Sequence, residues 1–186
     1  GRVGGQEVMT KIAGLLGMEA EDSAPKVAVV RCNGCLEHRP RIAEYDGLRS
    51  CAAMNSVGSG ETACGYGCLG CGDCVSACNF GAITIDPDLG LPVVNEDLCT
   101  SCGACVKACP RNIIELRYKG RVIKEQPHRV YVSCVNKDKG PVANTVCKVS
   151  CIACGKCQKV CKFEAISVEN NVAYIDMDKC KACGLC

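Results

Sequence analysis

The sequence predicts a loop-rich α+β fold built from short helices and short β-hairpins, and three observations lead to this prediction. The 186 residues include 21 cysteines but only two Phe, five Tyr and no Trp, so a large apolar core is not expected. The cysteines recur in a pattern that occurs twice along the chain. Short alternating apolar segments with tight-turn sequences follow the cysteine runs. Links through the cysteines must therefore hold much of the fold together.

The cysteine pattern is an internal repeat. The run C-x3-C-x2-C-x2-C-x3-C occupies 64–78 and recurs at 147–161, an offset of 83 residues (147 − 64 = 83). The match extends beyond the cysteines, because "CNFGAITID" (78–86) aligns with "CKFEAISVE" (161–169) without a gap. A further C-x2-C-x2-C triplet follows each run, at 99–105 and at 180–186. We therefore expect two copies of one structural unit.

Each copy is predicted to contain one β-hairpin. In the first copy, "AITID" (82–86) and "LPVV" (91–94) alternate as strands do and flank the turn sequence "DPDLG". In the second copy, "AISVE" (165–169) and "VAYID" (172–176) flank Asn170-Asn171, and asparagine accepts the positive φ of a two-residue turn. Segments that close the triplets, such as "CVKAC", are predicted to form short helical turns.

Three further signals lie outside the repeat. Apolar residues between Val8 and Leu16 have helical spacing, but the segment is too short to span a membrane. "KVAVVRC" (26–32) and "HRVYVSC" (128–134) each predict a strand that runs into a cysteine. The stretch 117–129 is basic and is interpreted either as a solvated linker or as a docking face for an acidic redox partner.

The cysteine spacing indicates iron–sulfur clusters. One C-x2-C-x2-C loop can carry three thiolates to three irons of a [4Fe-4S] cube, and the fourth thiolate comes from a cysteine three residues beyond the other triplet. "CTSCGACVKACP" (99–110) shows the whole pattern, including the proline after the last cysteine. The fold is therefore predicted to be two tandem bacterial-ferredoxin-like modules, each with two [4Fe-4S] clusters, short hairpins and short helices.

The crossed pattern assigns fifteen cysteines to about four clusters. Three sets have four members, and one set has three members in this sequence. The sets are Cys68, Cys71, Cys74 with Cys109; Cys99, Cys102, Cys105 with Cys78; Cys180, Cys183, Cys186 with Cys161; and Cys151, Cys154, Cys157.

Six cysteines remain, and the sequence leaves their role open. They are Cys32, Cys35, Cys51, Cys64, Cys134 and Cys147. In one interpretation Cys64 competes with Cys71, and the repeat-equivalent Cys147 supplies the fourth ligand of the last set. In another, Cys32, Cys35, Cys51 and Cys64 bind one more cluster of irregular spacing. In a third, the six are free, partly buried thiols.

These signals divide the chain into five segments. The second copy has no counterpart of Cys109, so we expect a fragment of a longer chain with its second module truncated. The segments are a helical remnant of an upstream module (1–24), a strand and loops with spare cysteines (25–62), the first two-cluster module (63–118), a basic connector with a strand (119–146), and the second, incomplete module (147–186).

Two other uses of cysteine fit less well. Disulfide frameworks have even cysteine counts and well-spread spacings, whereas this chain has 21 cysteines in tight triplets. Structural zinc sites use paired C-x2-C knuckles or Cys/His mixtures, and His38 and His128 are expected to be ordinary surface residues. The formal net charge is +2, and each oxidised cluster with its thiolates carries about −2, so the basic residues are expected to balance clusters rather than to bind nucleic acid.

Five stretches together resemble the B subunits of Rnf complexes, which are membrane-bound, ion-pumping ferredoxin:NAD+ oxidoreductases. The resemblance covers nearly the whole chain, and the first and last stretches carry its specificity. Cys35 and Cys71 depart from the family pattern, so the choice of ligands among Cys64, Cys68 and Cys71 stays open. The stretches are "VAVVRCNG" (27–34), "YDGLRSCAA" (45–53), "CGYGCLGCGDCVSAC" (64–78), "CTSCGACVKACPRNIIEL" (99–116) and "VSCVNKDKG" (132–140).

The resemblance implies a one-electron relay. The chain would accept electrons from reduced ferredoxin or another low-potential donor and pass them to membrane subunits, while a different, flavin-bearing subunit reduces NAD+. It also implies an upstream membrane anchor and a further small iron–sulfur module, with this array at the cytoplasmic face of the cell membrane. The sequence shows no nucleotide fingerprint and no catalytic pair, so a non-catalytic redox subunit is expected. The alternatives are a polyferredoxin module of a soluble hydrogenase-like enzyme and a zinc-stabilised binding module.

Overall fold

Short helices and two-stranded antiparallel sheets alternate along the chain. The computed structural model describes residues 5–17, 24–123 and 126–186. None of the helices in these ranges combines the length and the apolar character that a membrane span requires. The helices are α1 (Gly5–Leu15), α2 (Cys51–Val57), α3 (Asp73–Ser76), α4 (Ala104–Ala108), α5 (Gly140–Val146) and α6 (Lys156–Val160). The strands are β1 (Lys26–Val30), β2 (Ile83–Asp86), β3 (Leu91–Val94), β4 (Ile114–Tyr118), β5 (Arg121–Ile123), β6 (Gln126–His128), β7 (Ile166–Glu169) and β8 (Val172–Ile175).

The two predicted hairpins are confirmed at equivalent positions of the repeat. β2 pairs with β3, and β7 pairs with β8. β2 begins at Ile83 and β7 at Ile166, which reproduces the repeat offset (166 − 83 = 83). Asn170 (φ 48°) and Asn171 (φ 61°) turn the second hairpin in the left-handed conformation expected of them.

The strand β1 lies before the first repeat in sequence, but it forms a two-stranded sheet with β4 of that repeat. It pairs antiparallel with β4 along its whole length. Its central residues Val27–Val29 are at most 3% exposed, because the strand is covered on both faces. The segment 25–62 is therefore packed into the first repeat instead of lying beside it.

The strand predicted over 128–134 is largely absent. β6 ends at His128, and the described chain from Arg129 to Cys134 forms no strand. The carbonyls of this segment accept hydrogen bonds from the side chain of Arg31 instead, at Val132 (3.2 Å) and at Cys134 (3.3 Å). The side chain of Arg31 thus donates hydrogen bonds to carbonyls that a neighbouring strand would otherwise satisfy.

Two arginines of the basic stretch 117–129 are structural. Arg117 is 1% exposed, and its guanidinium donates to the Glu115 carboxylate and to the Val130 carbonyl. Arg129 donates to the Glu96 carboxylate. Because the Arg117 guanidinium is buried and paired, the interpretation of 117–129 as a solvated linker or docking face is wrong for this residue, and the charge of the partly buried Arg129 is already paired with Glu96.

Each repeat contains its own apolar cluster, and cysteine side chains belong to both. The larger cluster lies between the sheets of the first repeat, and the smaller one lies under the hairpin of the second. The buried residues of the larger cluster are Ala28, Cys68, Cys74, Ile83, Leu91, Cys105, Ile113 and Ile114, and those of the smaller are Ile166, Ala173 and Ile175.

Tyr174 on β8 connects the two repeats. Its ring centre lies 5.0 Å from the guanidinium carbon of Arg31 and 5.0 Å from that of Arg117. Arg31 directly follows β1 and Arg117 lies on β4, so both cations belong to the β1–β4 sheet of the first repeat. A cation over an aromatic face contributes about 0.5–1 kcal/mol where it is partly solvated.

Candidate iron–sulfur centres

The four triplet loops share one backbone conformation. In the loop 99–105, Ser101 (φ 51°) and Gly103 (φ 79°) flank the second cysteine in the left-handed region. Left-handed residues on both sides of a cysteine curl the chain and turn successive N–H groups inward, which creates a concave site for an anion. The equivalent left-handed residues of the other loops are Gly70 and Gly72, Ala153 and Gly155, and Ala182 and Gly184.

One predicted set of four cysteines lines a single cavity in the first repeat. Ala82 N–H donates to Cys78 Sγ at 3.3 Å. Ala28 N–H on β1 donates to Cys99 Sγ at 3.5 Å, so the added strand also contributes to this site. N–H donors at sulfur stabilise the thiolate form. The cysteines of this cavity are Cys78, Cys99, Cys102 and Cys105.

A second predicted set lines a cavity in the second repeat. The cavity is closed by Phe163 and Ile166, which stand at the start of the hairpin. Ala182 N–H donates to Cys180 Sγ at 3.4 Å, from the left-handed position of the loop. The cysteines of this cavity are Cys161, Cys180, Cys183 and Cys186.

The first triplet lies at a cavity with an additional thiol. Cys68, Cys74 and Cys109 line it as the crossed pattern predicts, and Cys51 lines it with them. Cys71 lies next to Cys51, and burial followed by the charge of the Cys51 thiol raises the pKa of Cys71 to about 11. Five thiols therefore compete for four positions.

Asp73 brings Cys51 to this cavity. Its carboxylate accepts hydrogen bonds from Cys51 N–H (2.8 Å) and Ala52 N–H (3.0 Å) at the start of α2, and from Ser50 Oγ (3.0 Å). Burial opposes ionisation of Asp73, but these donations prevail and lower its pKa. A carboxylate at a helix N-terminus also interacts favourably with the helix dipole. Asp73 itself lies between two cysteines of the triplet, so it ties α2 to the loop.

The remaining triplet is Cys151, Cys154 and Cys157. Ala173 N–H on β8 donates to Cys151 Sγ at 3.4 Å. The backbone amide of Cys151 in turn lies near the sulfur of Cys134. The triplet therefore lies against the connector that precedes the second repeat.

Four of the spare cysteines line a cavity of their own. This grouping differs from the one expected, because Cys35 and Cys51 are absent from it: Cys35 lies near Glu37 and His38, and Cys51 lies at the first triplet. The cysteines of this cavity are Cys32, Cys64, Cys134 and Cys147.

Burial makes the cavity thiols costly to ionise in the absence of a cation. Loss of solvation raises the pKa of Cys68 to about 12 and that of Cys74 to about 11. The pKa of Cys105 and that of Cys157 are raised for the same reason. Thiolates in these positions need compensating positive charge, which ligated iron supplies.

The spacing of the sulfurs fits a cube better than zinc. In the described residues, three ligand atoms lie within 4.8 Å of one another only at Cys35, Glu37 and His38. A tetrahedral zinc site with bonds of about 2.3 Å needs sulfurs roughly 3.8 Å apart. No three sulfurs of a described cavity meet this 4.8 Å limit, whereas a cube sets its thiolates apart because each of its four irons binds a different one.

Sequence reasoning missed several residues of these sites. Asp73 and Asn136 have no signature that separates them from ordinary polar residues. Cys134 did have a signal: "VYVSC" and "VAVVRC" are both apolar strand-like runs that end in a cysteine, which hinted that Cys134 and Cys32 play related roles.

Two family models match the chain, both described as 4Fe-4S dicluster domains. They match residues 67–113 and residues 98–166. The first match covers the last four cysteines of the first run and the triplet that follows it, and the second extends from that triplet into the second repeat. The predicted cofactor, about four [4Fe-4S] clusters, is confirmed.

Three curated proteins match nearly all of the chain. The B subunit of the ion-translocating oxidoreductase complex of Methanosarcina acetivorans is 42% identical over 99% of this chain and 67% of its own length. The B subunit of the Na(+)-translocating ferredoxin:NAD(+) oxidoreductase complex of Acetobacterium woodii is 46% identical over 99% of this chain and 53% of its own length. The B subunit of the proton-translocating ferredoxin:NAD(+) oxidoreductase complex of Clostridium ljungdahlii is 41% identical over 95% of this chain and 59% of its own length.

The chain spans 53% to 67% of the length of these relatives. The resemblance to Rnf B subunits is confirmed, and the chain belongs to the family of B subunits of ion-translocating oxidoreductase complexes.

Proposed function

We propose that this chain conducts electrons one at a time through [4Fe-4S] clusters within an ion-translocating ferredoxin:NAD+ oxidoreductase complex. The chief support is that two crossed cysteine sets, predicted from spacing alone, each line one cavity in full. A bound cluster supplies one-electron chemistry. The residues of the chain would hold its irons through cysteine thiolates, line the cavities with side chains such as Leu116 and Ile166, and direct backbone N–H groups at the cysteine sulfurs.

The clusters are assigned to two tandem ferredoxin-like modules, 63–118 and 147–186, the second truncated. The equal offset of the hairpins and the separate apolar clusters support this arrangement. Segment 25–62 adds β1 and Cys51 to the first module, segment 119–146 connects the modules, and segment 1–24 contains α1. The proposed ligands are those of the four predicted sets, except that Cys51, which lines the cavity, takes the place of Cys71 in the first set.

The donor is reduced ferredoxin or another low-potential electron carrier, and the acceptors are other subunits of the complex. The names of two relatives, which specify ferredoxin and NAD+, support this direction of flow. The chain is placed at the cytoplasmic face of the membrane, where soluble ferredoxin is available. NAD+ reduction is assigned to a different subunit.

Anaerobic reduction tests the proposal. The purified protein, mixed with excess reduced ferredoxin in a stopped-flow instrument, is expected to lose visible cluster absorbance and to develop the low-temperature EPR signals of reduced [4Fe-4S] clusters. Dithionite serves as the chemical control. Reduction by dithionite but not by ferredoxin would contradict the donor and leave the clusters intact, and a colourless protein would contradict the whole proposal.

A further inference from the structure

Four segments of the chain converge on one cavity through cysteines that the triplets do not use. Cys32 follows β1, Cys64 precedes the first triplet, Cys134 lies in the connector and Cys147 follows α5. Cys64 and Cys147 are both 5% exposed. Because these residues are far apart in sequence, local loop geometry does not account for their meeting, and the fold as a whole builds the site.

Hydrogen-bond donors surround these sulfurs as they do in the triplet cavities. The side-chain amide of Asn136, a residue only 1% exposed, donates from Nδ2 to Cys64 Sγ at 3.7 Å. The backbone amide of Asn136 lies near the sulfur of Cys134, and that of Val149 lies near the sulfur of Cys147. Donors directed at sulfur favour thiolate over thiol, which is the form that binds metal.

A buried cation lines the same cavity. Arg39 is 3% exposed, and its Nε has no hydrogen-bond partner in the described part of the chain. Within those residues no carboxylate pairs with it, so its charge needs an anion to offset the cost of burial. Gly34 lets the backbone close here, since a Cβ would lie 2.7 Å from Arg39 Cδ and 3.1 Å from Cys147 Sγ.

We infer that this cavity binds a further [4Fe-4S] cluster, with Cys32, Cys64, Cys134 and Cys147 as its ligands. A cube with four thiolates carries a charge of about −2, so it would offset the positive charge of the buried Arg39. Zinc fits less well, because no three of these sulfurs lie within 4.8 Å of one another, whereas tetrahedral zinc needs roughly 3.8 Å.

The position of this site joins the two repeats. Cys134 lies next to the second repeat, because the backbone amide of Cys151 is close to its sulfur. Cys32 lies close enough to Cys68 for the charges of their thiolates to interact. The site therefore stands between the cavity of the first triplet and the Cys151 triplet. The inference deepens the proposed relay, and depends on it only for the role of this cluster as the connection between the repeats.

The test compares anaerobically purified wild-type protein with two cysteine variants. Cys134→Ser removes one proposed ligand, and Cys35→Ser, which alters a cysteine outside the cavity, is the matched control. We expect Cys134→Ser to contain about four irons and about four acid-labile sulfides fewer per chain than wild type. Cys35→Ser is expected to match wild type in both. Wild-type iron content in Cys134→Ser, or a zinc ion that Cys134→Ser loses, would overturn the inference.

A second variant decides the matter if Cys134→Ser is insoluble. Asn136→Asp keeps the oxygen that accepts Asp138 N–H (2.7 Å) but replaces the amide that donates to Cys64 Sγ. We expect the midpoint potential of one cluster, followed by EPR, to move to a more negative value while the others stay unchanged. No shift in any midpoint would overturn the inference. Protein without acid-labile sulfide would instead contradict the proposed function itself, so the two failures are distinguishable.

Discussion

Single residues decide which thiols can reach which cavity, and the first triplet shows this most clearly. Cys51 lies far from the triplet in sequence, yet it lines the cavity because Asp73 holds the start of α2 against the loop. Cys71 belongs to the triplet by spacing, but its sulfur lies near the Leu69 carbonyl (3.7 Å) and beside Cys51. The C-x2-C-x2-C spacing indicates Cys71 as a ligand, whereas the residues that line the cavity indicate Cys51.

Paired serine variants distinguish the two cysteines. We expect Cys51→Ser to lose the iron of one cluster, because its sulfur lines the cavity with Cys68, Cys74 and Cys109. Cys71→Ser is expected to retain wild-type iron and sulfide. Iron and acid-labile sulfide analysis of anaerobically purified protein provides the measurement. The opposite pattern, with iron lost only from Cys71→Ser, would restore the ligand set predicted from spacing.

At the scale of elements, the triplet loops depend on left-handed residues beside their second cysteine. Two loops use alanine at the first of these positions, Ala153 (φ 54°) and Ala182 (φ 50°), where a Cβ is unfavourable. The second position is glycine in all four loops: Gly72, Gly103, Gly155 and Gly184. Glycine has no Cβ penalty there, so each loop accepts at most one strained residue, and the loop with Gly70 and Gly72 has none.

Gly155→Ala tests the backbone requirement without a steric clash. Its new Cβ would meet no atom within 4 Å, but the φ of 71° costs an alanine about 1–2 kcal/mol. We expect a lower denaturant midpoint for loss of the visible cluster absorbance. Gly58→Ala is the matched control, because Gly58 has an extended φ of 167° and equally open space. Equal denaturant midpoints for both variants would show that the left-handed conformation at Gly155 does not affect the stability of the cluster.

On the scale of the whole molecule, apolar burial is unequal between the repeats. Eight buried residues form the cluster of the first repeat, whereas three form that of the second. A core of three buried side chains cannot offset the conformational entropy lost by ordering a segment of this length. The second repeat must therefore depend on its clusters more than the first does.

Removal of iron is expected to unfold the second repeat before the first. After chelation under anaerobic conditions, amide hydrogen exchange in β7 and β8 should approach the rate of an unfolded chain, while β1 and β4 keep partial protection. Hydrogen exchange with mass spectrometry resolves these segments. Equal protection of the β7–β8 hairpin and the β1–β4 pair in the iron-free protein would contradict the dependence of the second repeat on its clusters.

The contact between the repeats at Tyr174 can be tested separately. Tyr174→Ala removes the ring that contacts the guanidinium groups of Arg31 and Arg117. We expect the free energy of unfolding to fall by about 1 kcal/mol and the amide hydrogens of β8 to exchange faster. Tyr174→Phe keeps the ring and is the control, because a phenyl face still attracts a cation. Identical exchange in the two variants would show that the cation contacts contribute nothing measurable.

Local sequence patterns were sufficient to predict the repeat, both hairpins and the cysteine sets of two cavities, because a repeat, a turn sequence and a C-x2-C-x2-C triplet can each be recognised from residue spacing alone. The positive φ at Asn170-Asn171 and the sets around Cys99 and Cys180 belong to this class. Long-range packing had to bring Cys51 to the first triplet, bury Arg117 and assemble Cys32, Cys64, Cys134 and Cys147. No periodicity or spacing encodes those contacts, since they arise only when β1 pairs with β4 and the connector packs against the strand's end.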